Sequence, residues 1–117
     1  MGDFRKLEIW QLAKELAVYV YKITSRGDFV KDFDLRGQIR KAAVSTASNI
    51  SEGEESGSNK QAVRYFNIAI GSSAEVQTQG EIAYAIGYLS EQELTELIER
   101  CEILSKKTKT LIKHRLK

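Results

Sequence analysis

The side chains able to do chemistry in this sequence are few. One histidine, His114, and one cysteine, Cys101, stand against 16 carboxylates, so the chain by itself lacks the partners for a Cys/His zinc site or for a Ser-His-Asp or Cys-His nucleophile. A ferritin-like di-metal centre needs Glu-x-x-His on two helices and fails on the same count. What remains by counting is an all-carboxylate set of Glu52, Glu54, Glu55 and Glu75, in which Glu54 and Glu55 fall in a loop-like stretch where acids are normally solvated. Cys101 occupies an apolar periodic position near Glu99 and Glu102, surroundings that raise a thiol pKa, and is read as a buried structural residue. Gly71-Ser72-Ser73 lacks the strand, spacing and lysine of a phosphate-binding loop. The expectation is a chain with no catalytic residue, no metal, no cofactor and no small-molecule substrate.

Basic residues form the other candidate surface. The net charge of +2 hides an asymmetry, because six of the 18 bases and none of the acids lie between Ser105 and Lys117. The body is mildly acidic and the tail basic. Lys106, Lys109, Lys113 and Lys117 recur at three, four and four residues, a stripe on one helix face that could follow a phosphate backbone without reading bases. The competing reading is that cations gather at a helix C-terminus because the macrodipole favours them there. No aromatic residue interrupts the stripe to stack on a base.

These groups must be positioned by helices. The 117 residues contain no proline, 42% hydrophobic and 29% charged residues, the composition of one ordinary globular domain, residues 1–117. No apolar run reaches 18 residues and no basic-then-apolar leader opens the chain, so a membrane span and a signal peptide are not expected and the compartment is taken as cytoplasmic. A first helix is predicted from Glu8 to Thr24, with Ile9, Ala13, Leu16, Val20 and Ile23 on one seam. A second runs from Asp34 to Ser51 with a seam of mostly small residues: Leu35, Ile39, Ala42, Thr46 and Asn49. Glu52 to Ser58 has loop composition, and Ser58 or Asn59 could cap the third helix, to Tyr88. The seam of that helix reads Val63, Phe66, Ile70, Ser73, Gln77, Gly80, Tyr84 and Gly87. Gly71 and Gly80 weaken it unless something packs closely on them. Ser90 and Glu93 make a capping box for a fourth helix with Leu94, Leu97, Cys101, Leu104, Thr108 and Leu111 facing inward. Four amphipathic helices with short connections give an all-α fold, an antiparallel up-down-up-down four-helix bundle.

One segment carries more apolar surface than a lone bundle needs. Leu16-Ala17-Val18-Tyr19-Val20-Tyr21 surrounds its helix, and Leu16, Val18, Tyr19 and Tyr21 are the expected self-association surface; the plainer reading leaves the tyrosines at the edge of the core with wet hydroxyls. Arg40, Asn49, Glu52 and Glu75 flank the second and third seams. Either Arg40 pairs with Glu75 or Glu52 and fixes the register of those helices, or all four face solvent.

Three ordered blocks resemble a known family. Phe4-x-x-Leu7-x-x-Trp10, then Gln38-Ile39-Arg40-Lys41-Ala42-Ala43-Val44-Ser45 with Asn49-Ile50-Ser51-Glu52-Gly53, then Tyr65-Phe66-x-Ile68-Ala69-x-Gly71-Ser72-x-x-Glu75-x-x-Thr78 are similar to the bacterial four-helix-bundle proteins encoded in intervening sequences of 23S rRNA genes, which carry a ribosomal-protein-like label. The resemblance reaches to about Leu89 and extends to the accessory protein of diversity-generating retroelements. It implies a small non-enzymatic bundle, a homopentamer, and a scaffold or interaction role with contacts to RNA or to a nucleic-acid-binding protein.

Overall fold

The structure, a computed structural model, describes residues 3–117. Four helices, α1 (Glu8–Ile23), α2 (Phe33–Glu55), α3 (Asn59–Ala85) and α4 (Glu91–Arg115), are joined by short turns, with 3₁₀ turns at Phe4–Lys6 and Phe29–Lys31. They pack side by side into a body of 45 × 20 × 19 Å. The Tyr19 hydroxyl donates to the Glu93 carbonyl (3.3 Å), while Lys107 pairs with Glu8 at 3.3 Å. Those contacts join the end of α1 to the start of α4 and the reverse, so α1 and α4 run antiparallel, and each helix neighbours the next around the bundle.

Local chemistry sets the helix ends. Asp32 caps α2 by accepting from the Leu35 amide (3.0 Å), Ser58 caps α3 through Gln61, and Ser90 with Glu93 forms the expected capping box on α4. These side chains satisfy amides that the first helical turn leaves without partners. Gly57 and Gly87 turn the chain with φ of +86° and +85°, a region where a Cβ would clash. The second helix differs from its predicted length. Glu52 to Glu55 are its last turn and not a loop, because Gly53 and Glu54 are buried against α3 and α4 and hold the chain in helical geometry. Tyr88 lies past α3, which stops at Ala85.

The core follows the seams of α1 and α4 as spaced in the sequence: Ile9, Ala13, Leu16, Val20 and Ile23 on α1, and Leu94, Leu97, Cys101, Leu104 and Thr108 on α4. Small residues bring α2 and α3 together in the most extensive helix contact of the molecule. A Cβ on Gly53 would stand 2.9 Å from Phe66 Cε1, and the Ser45 and Ser72 hydroxyls meet at 3.1 Å. On α3 the inward side is Ala62, Phe66, Ala69, Ser73, Val76, Gly80 and Ala83. Val63, Ile70 and Gln77 are only half buried and Tyr84 is exposed. Phe29, in the α1–α2 connection, is fully buried and closes one end of the core against Tyr88, ring centroids 5.3 Å apart.

Cys101 is completely buried. Burial, with Glu102 adding to it, pushes the thiol up to about 11, and the neighbouring Ser73 opposes the shift without cancelling it. Native protein at pH 8 will therefore resist alkylation by iodoacetamide until it unfolds. Between pH 9 and 11 the unfolded thiol ionises while the native one stays protonated, so stability falls with rising pH by roughly 2 kcal/mol from this group. The difference in urea midpoint between the wild type and Cys101→Ala, measured across that range, isolates the effect; a constant difference refutes it.

Candidate functional site

Among the described residues no three His, Cys, Asp or Glu side chains converge on a point where they could hold a metal ion. Glu52 and Glu75 are exposed on separate helices. Glu54, expected in solvent, is 4% exposed and pairs with Arg115 Nη2 at 2.8 Å, with the guanidinium 5.6 Å from the centre of the Phe66 ring. The helical extension of α2 through Glu55 turns Glu54 inward. No seam rule marks it, because its partner lies 61 residues away.

Arg40 pairs with neither Glu75 nor Glu52. Its Nε donates to Thr24 Oγ1 (2.8 Å) and its Nη2 to Ser25 Oγ (3.1 Å), and its guanidinium lies 4.4 Å over the Tyr21 ring. Arg40 therefore staples α2 to the end of α1 and fixes the tyrosine. Asn49 bonds back to the Ser45 carbonyl (2.8 Å) and hydroxyl (3.0 Å) on its own helix. The four flanking polar residues do not form one cluster.

The apolar ring on α1 divides in two. Leu16 is fully buried in the bundle's own core, and Tyr19 is half buried against α4 with Arg100 4.9 Å from its ring. Leu16 is therefore no part of an outward surface, and Tyr19 leaves only part of its side chain in water. Burial, reinforced by Glu96, pushes the Tyr19 hydroxyl up to about 12. Val18 and Tyr21 point away, 62% and 44% exposed. With Trp10, Ala17, Val44 and Ala47 they line a groove of about 420 Å³ between α1 and α2. Phe4 closes its end by packing edge-on to Trp10, 5.2 Å between centroids.

A second apolar line lies across α2 from that groove. Ile68 and Ile82 on α3 are 43% and 48% exposed, and Ile86 just past its end is 53% exposed; Ile68 and Ile82 lie on the side of α3 next to Ser72, which bonds Ser45 of α2, so they flank the α2–α3 seam.

The third surface lies between α1 and α4. Leu7, Ile9, Ile103 and Leu111 floor a cleft of about 590 Å³, with Lys106, Lys107 and His114 at its edge. Lys106, Lys109 and Lys113 are exposed on α4, and Lys117 follows just beyond its end. Among the described residues none of the four pairs with an acid, whereas Lys107 is held by Glu8.

These features define a small all-α protein of the antiparallel four-helix-bundle class, with its distinctive chemistry on its outer faces. Residues 5–110 match the model of the 23S rRNA-intervening sequence protein family, and the chain belongs to that family. Its fold is shared with the crystal structure of a protein of unknown function from the S23 ribosomal protein family of Bacteroides thetaiotaomicron VPI-5482, at a TM-score of 0.81 and 22% identity, over 90% of this chain and 98% of that one. No curated protein matches the sequence. No helix among the described residues is long and apolar enough to cross a membrane.

Proposed function

We propose that this chain is a non-enzymatic module of the cytoplasm that assembles with copies of itself into a ring, a pentamer by its resemblance, and offers a cationic face to RNA or a ribonucleoprotein. The observation that carries the assembly is the pair of unlike apolar surfaces flanking α2, a groove with Val18 and Tyr21 and a ridge with Ile68 and Ile82. Exposed apolar patches of this kind mark interaction sites. A groove that receives the ridge of the next copy is a heterologous contact, which builds a ring when the rotation from copy to copy closes and an open filament when it does not.

Sedimentation equilibrium at tens of micromolar tests it. The expected mass is about 66 kDa, five times the 13.2 kDa chain, and Val18→Glu or Ile82→Glu yields folded monomer. Mixed in equal amounts, those two variants form a heterodimer, because each keeps one intact half of the contact. Monomeric wild-type protein, or variants that stay assembled, would overturn the ring.

The nucleic-acid reading is favoured by the four lysines, which among the described residues have no acidic partner, on a helix face that tracks along the bundle. Binding to a single-stranded RNA oligonucleotide should be independent of sequence, with a slope of log Kobs against log salt of about −3 for four neutralised phosphates. The double variant Lys109→Glu, Lys113→Glu should abolish it. Binding that ignores salt, or survives the charge reversal, removes this part of the reading.

A further inference from the structure

α4 lies diagonally across the bundle from α2, whose two flanks carry the groove and the ridge, so the use of its outer face is independent of the ring. We propose that this face is a two-fold contact surface for a second copy of the chain. The acidic first half of one α4 lies antiparallel on the basic second half of the other.

The pattern along the helix carries the proposal. The lysine stripe continues toward the start of α4 as Glu102, Glu99, Thr95 and Glu91, all exposed. From Glu91 to Lys117 the positions are spaced by four, four, three, four, three, four and four residues. At 3.6 residues per turn they fall within about 80° of one another. That spacing reads the same in both directions about Leu104. Turned end for end, the stripe therefore meets itself with Glu102 on Lys106, Glu99 on Lys109, Thr95 on Lys113 and Glu91 on Lys117. A two-fold axis makes each of these contacts twice. Parallel stacking would set acid on acid instead.

Helix chemistry within one chain does not account for the division. The macrodipole acts on charges in the first and last turns, and Glu99, Glu102 and Lys106 all lie more than two turns inside α4. Glu102 and Lys106 are one turn apart but do not pair on their own helix, where the ion pair formed at that spacing is Arg100 with Glu96 at 3.7 Å. Among the described residues no ion pair uses any charge of the stripe. A second copy satisfies both halves at once, whereas RNA satisfies the basic half and is repelled by the acidic one. The contact also covers Ile103, 49% exposed on the α1 side of the stripe. One residue from the centre, it meets its own counterpart with an offset of about 3 Å along the helices. That places an apolar middle inside a charged rim. The pairing covers the lysines that the proposed function offers to RNA, so the two uses of the face exclude each other.

Exposed ion pairs are individually weak and screened by salt, which sets both the affinity and its signature. Sedimentation equilibrium of the full chain carrying Val18→Glu, which removes the ring contact, should give a monomer–dimer equilibrium. The expected Kd is on the order of 100 µM in about 20 mM salt and at least tenfold weaker in about 0.5 M salt. Adding Glu99→Lys and Glu102→Lys should leave a monomer; all four lysines remain, which separates this contact from RNA binding. Mixing that protein with one carrying Lys106→Glu and Lys109→Glu should restore a dimer, because every central pair is again of opposite sign. Thr95→Cys and Lys113→Cys, oxidised together, report the orientation, and the expected product is a disulfide between the two variants. All of these positions are exposed, and unchanged helical circular dichroism verifies the fold. A monomer at about 1 mM protein in low salt, or a dimer that ignores salt or survives reversal of the acids, would overturn the proposal. So would Lys113→Cys cross-linking to itself in preference to Thr95→Cys.

Discussion

Gly80→Val lowers stability by about 3 kcal/mol, a fall of roughly 10 °C in the thermal midpoint for a domain of this size. A Cβ built on Gly80 stands 2.5 Å from Leu97 Cδ2 and 3.7 Å from Leu94 Cδ1. Leu97 is fully buried, so it cannot swing into solvent, and α3 and α4 must separate or the leucine must leave its rotamer. Helix propensity works the other way and is too small to compensate, about 1 kcal/mol at most. Gly71, nine residues earlier on the same helix, supplies the control. Nothing lies within 4 Å of a Cβ placed there, so Gly71→Ala gains about 0.5 to 1 kcal/mol from propensity and from a less flexible unfolded chain. Chemical denaturation of both variants at one protein concentration checks the pair. If the two substitutions shift the midpoint in the same direction, close packing is not the reason for glycine at position 80.

Arg115→Met costs about 3 kcal/mol even though it changes the last residue of the last helix. The substitution leaves the Glu54 carboxylate inside the bundle without the guanidinium that faces it at 2.8 Å. The Glu54 side chain is only 5% exposed, and a buried carboxylate that loses its partner is far more costly than the pair itself is stabilising. The same principle sets the rescue. The double variant Glu54→Met, Arg115→Met should return to within about 1 kcal/mol of the wild type, because two apolar side chains beside Phe66 need no solvation. Denaturation midpoints of the two single variants and the double variant give the coupling directly. A single variant within about 0.5 kcal/mol of wild type would mean that the final turn frays and hydrates Glu54 at little cost.

Residues near the chain's own periodicity were legible. Ile9, Ala13, Leu16, Val20 and Ile23 repeat at helical spacing, and that repeat alone predicts their burial; Ser90 and Glu93 announce a capping box from three residues of separation. Phe29 was not legible. It lies in a short connection with no periodic neighbours, and it is core only because the fold brings Tyr88 over it. Arg40 also misled, since the sequence offers Glu52 and Glu75 as partners but the helix turns its guanidinium toward Thr24, Ser25 and the Tyr21 ring.

The outer surfaces divide in the same way. A continuous apolar run from Leu16 to Tyr21 announces surplus hydrophobic surface, but periodicity cannot say which residues are surplus. The core takes up Leu16, contact with α4 covers part of Tyr19, and Val18 and Tyr21 remain most exposed. The cleft between α1 and α4 has no local signature, because Ile9 and Ile103 are 94 positions apart in the chain.

Four helices, the caps at Ser58 and Ser90, the bundle class and the basic stripe could be read from the residues in order, because each depends on side chains within a turn or two of one another, and the family could be read from three blocks of them; the ends of α2 and α3 and the Asp32 cap could not. That Glu54 is buried on Arg115, that Gly80 lies under Leu97 and that three distinct faces surround the bundle came from packing alone. Those facts depend on which side of each helix meets its neighbour, and distances across helices are set by packing of the whole chain rather than by any local spacing.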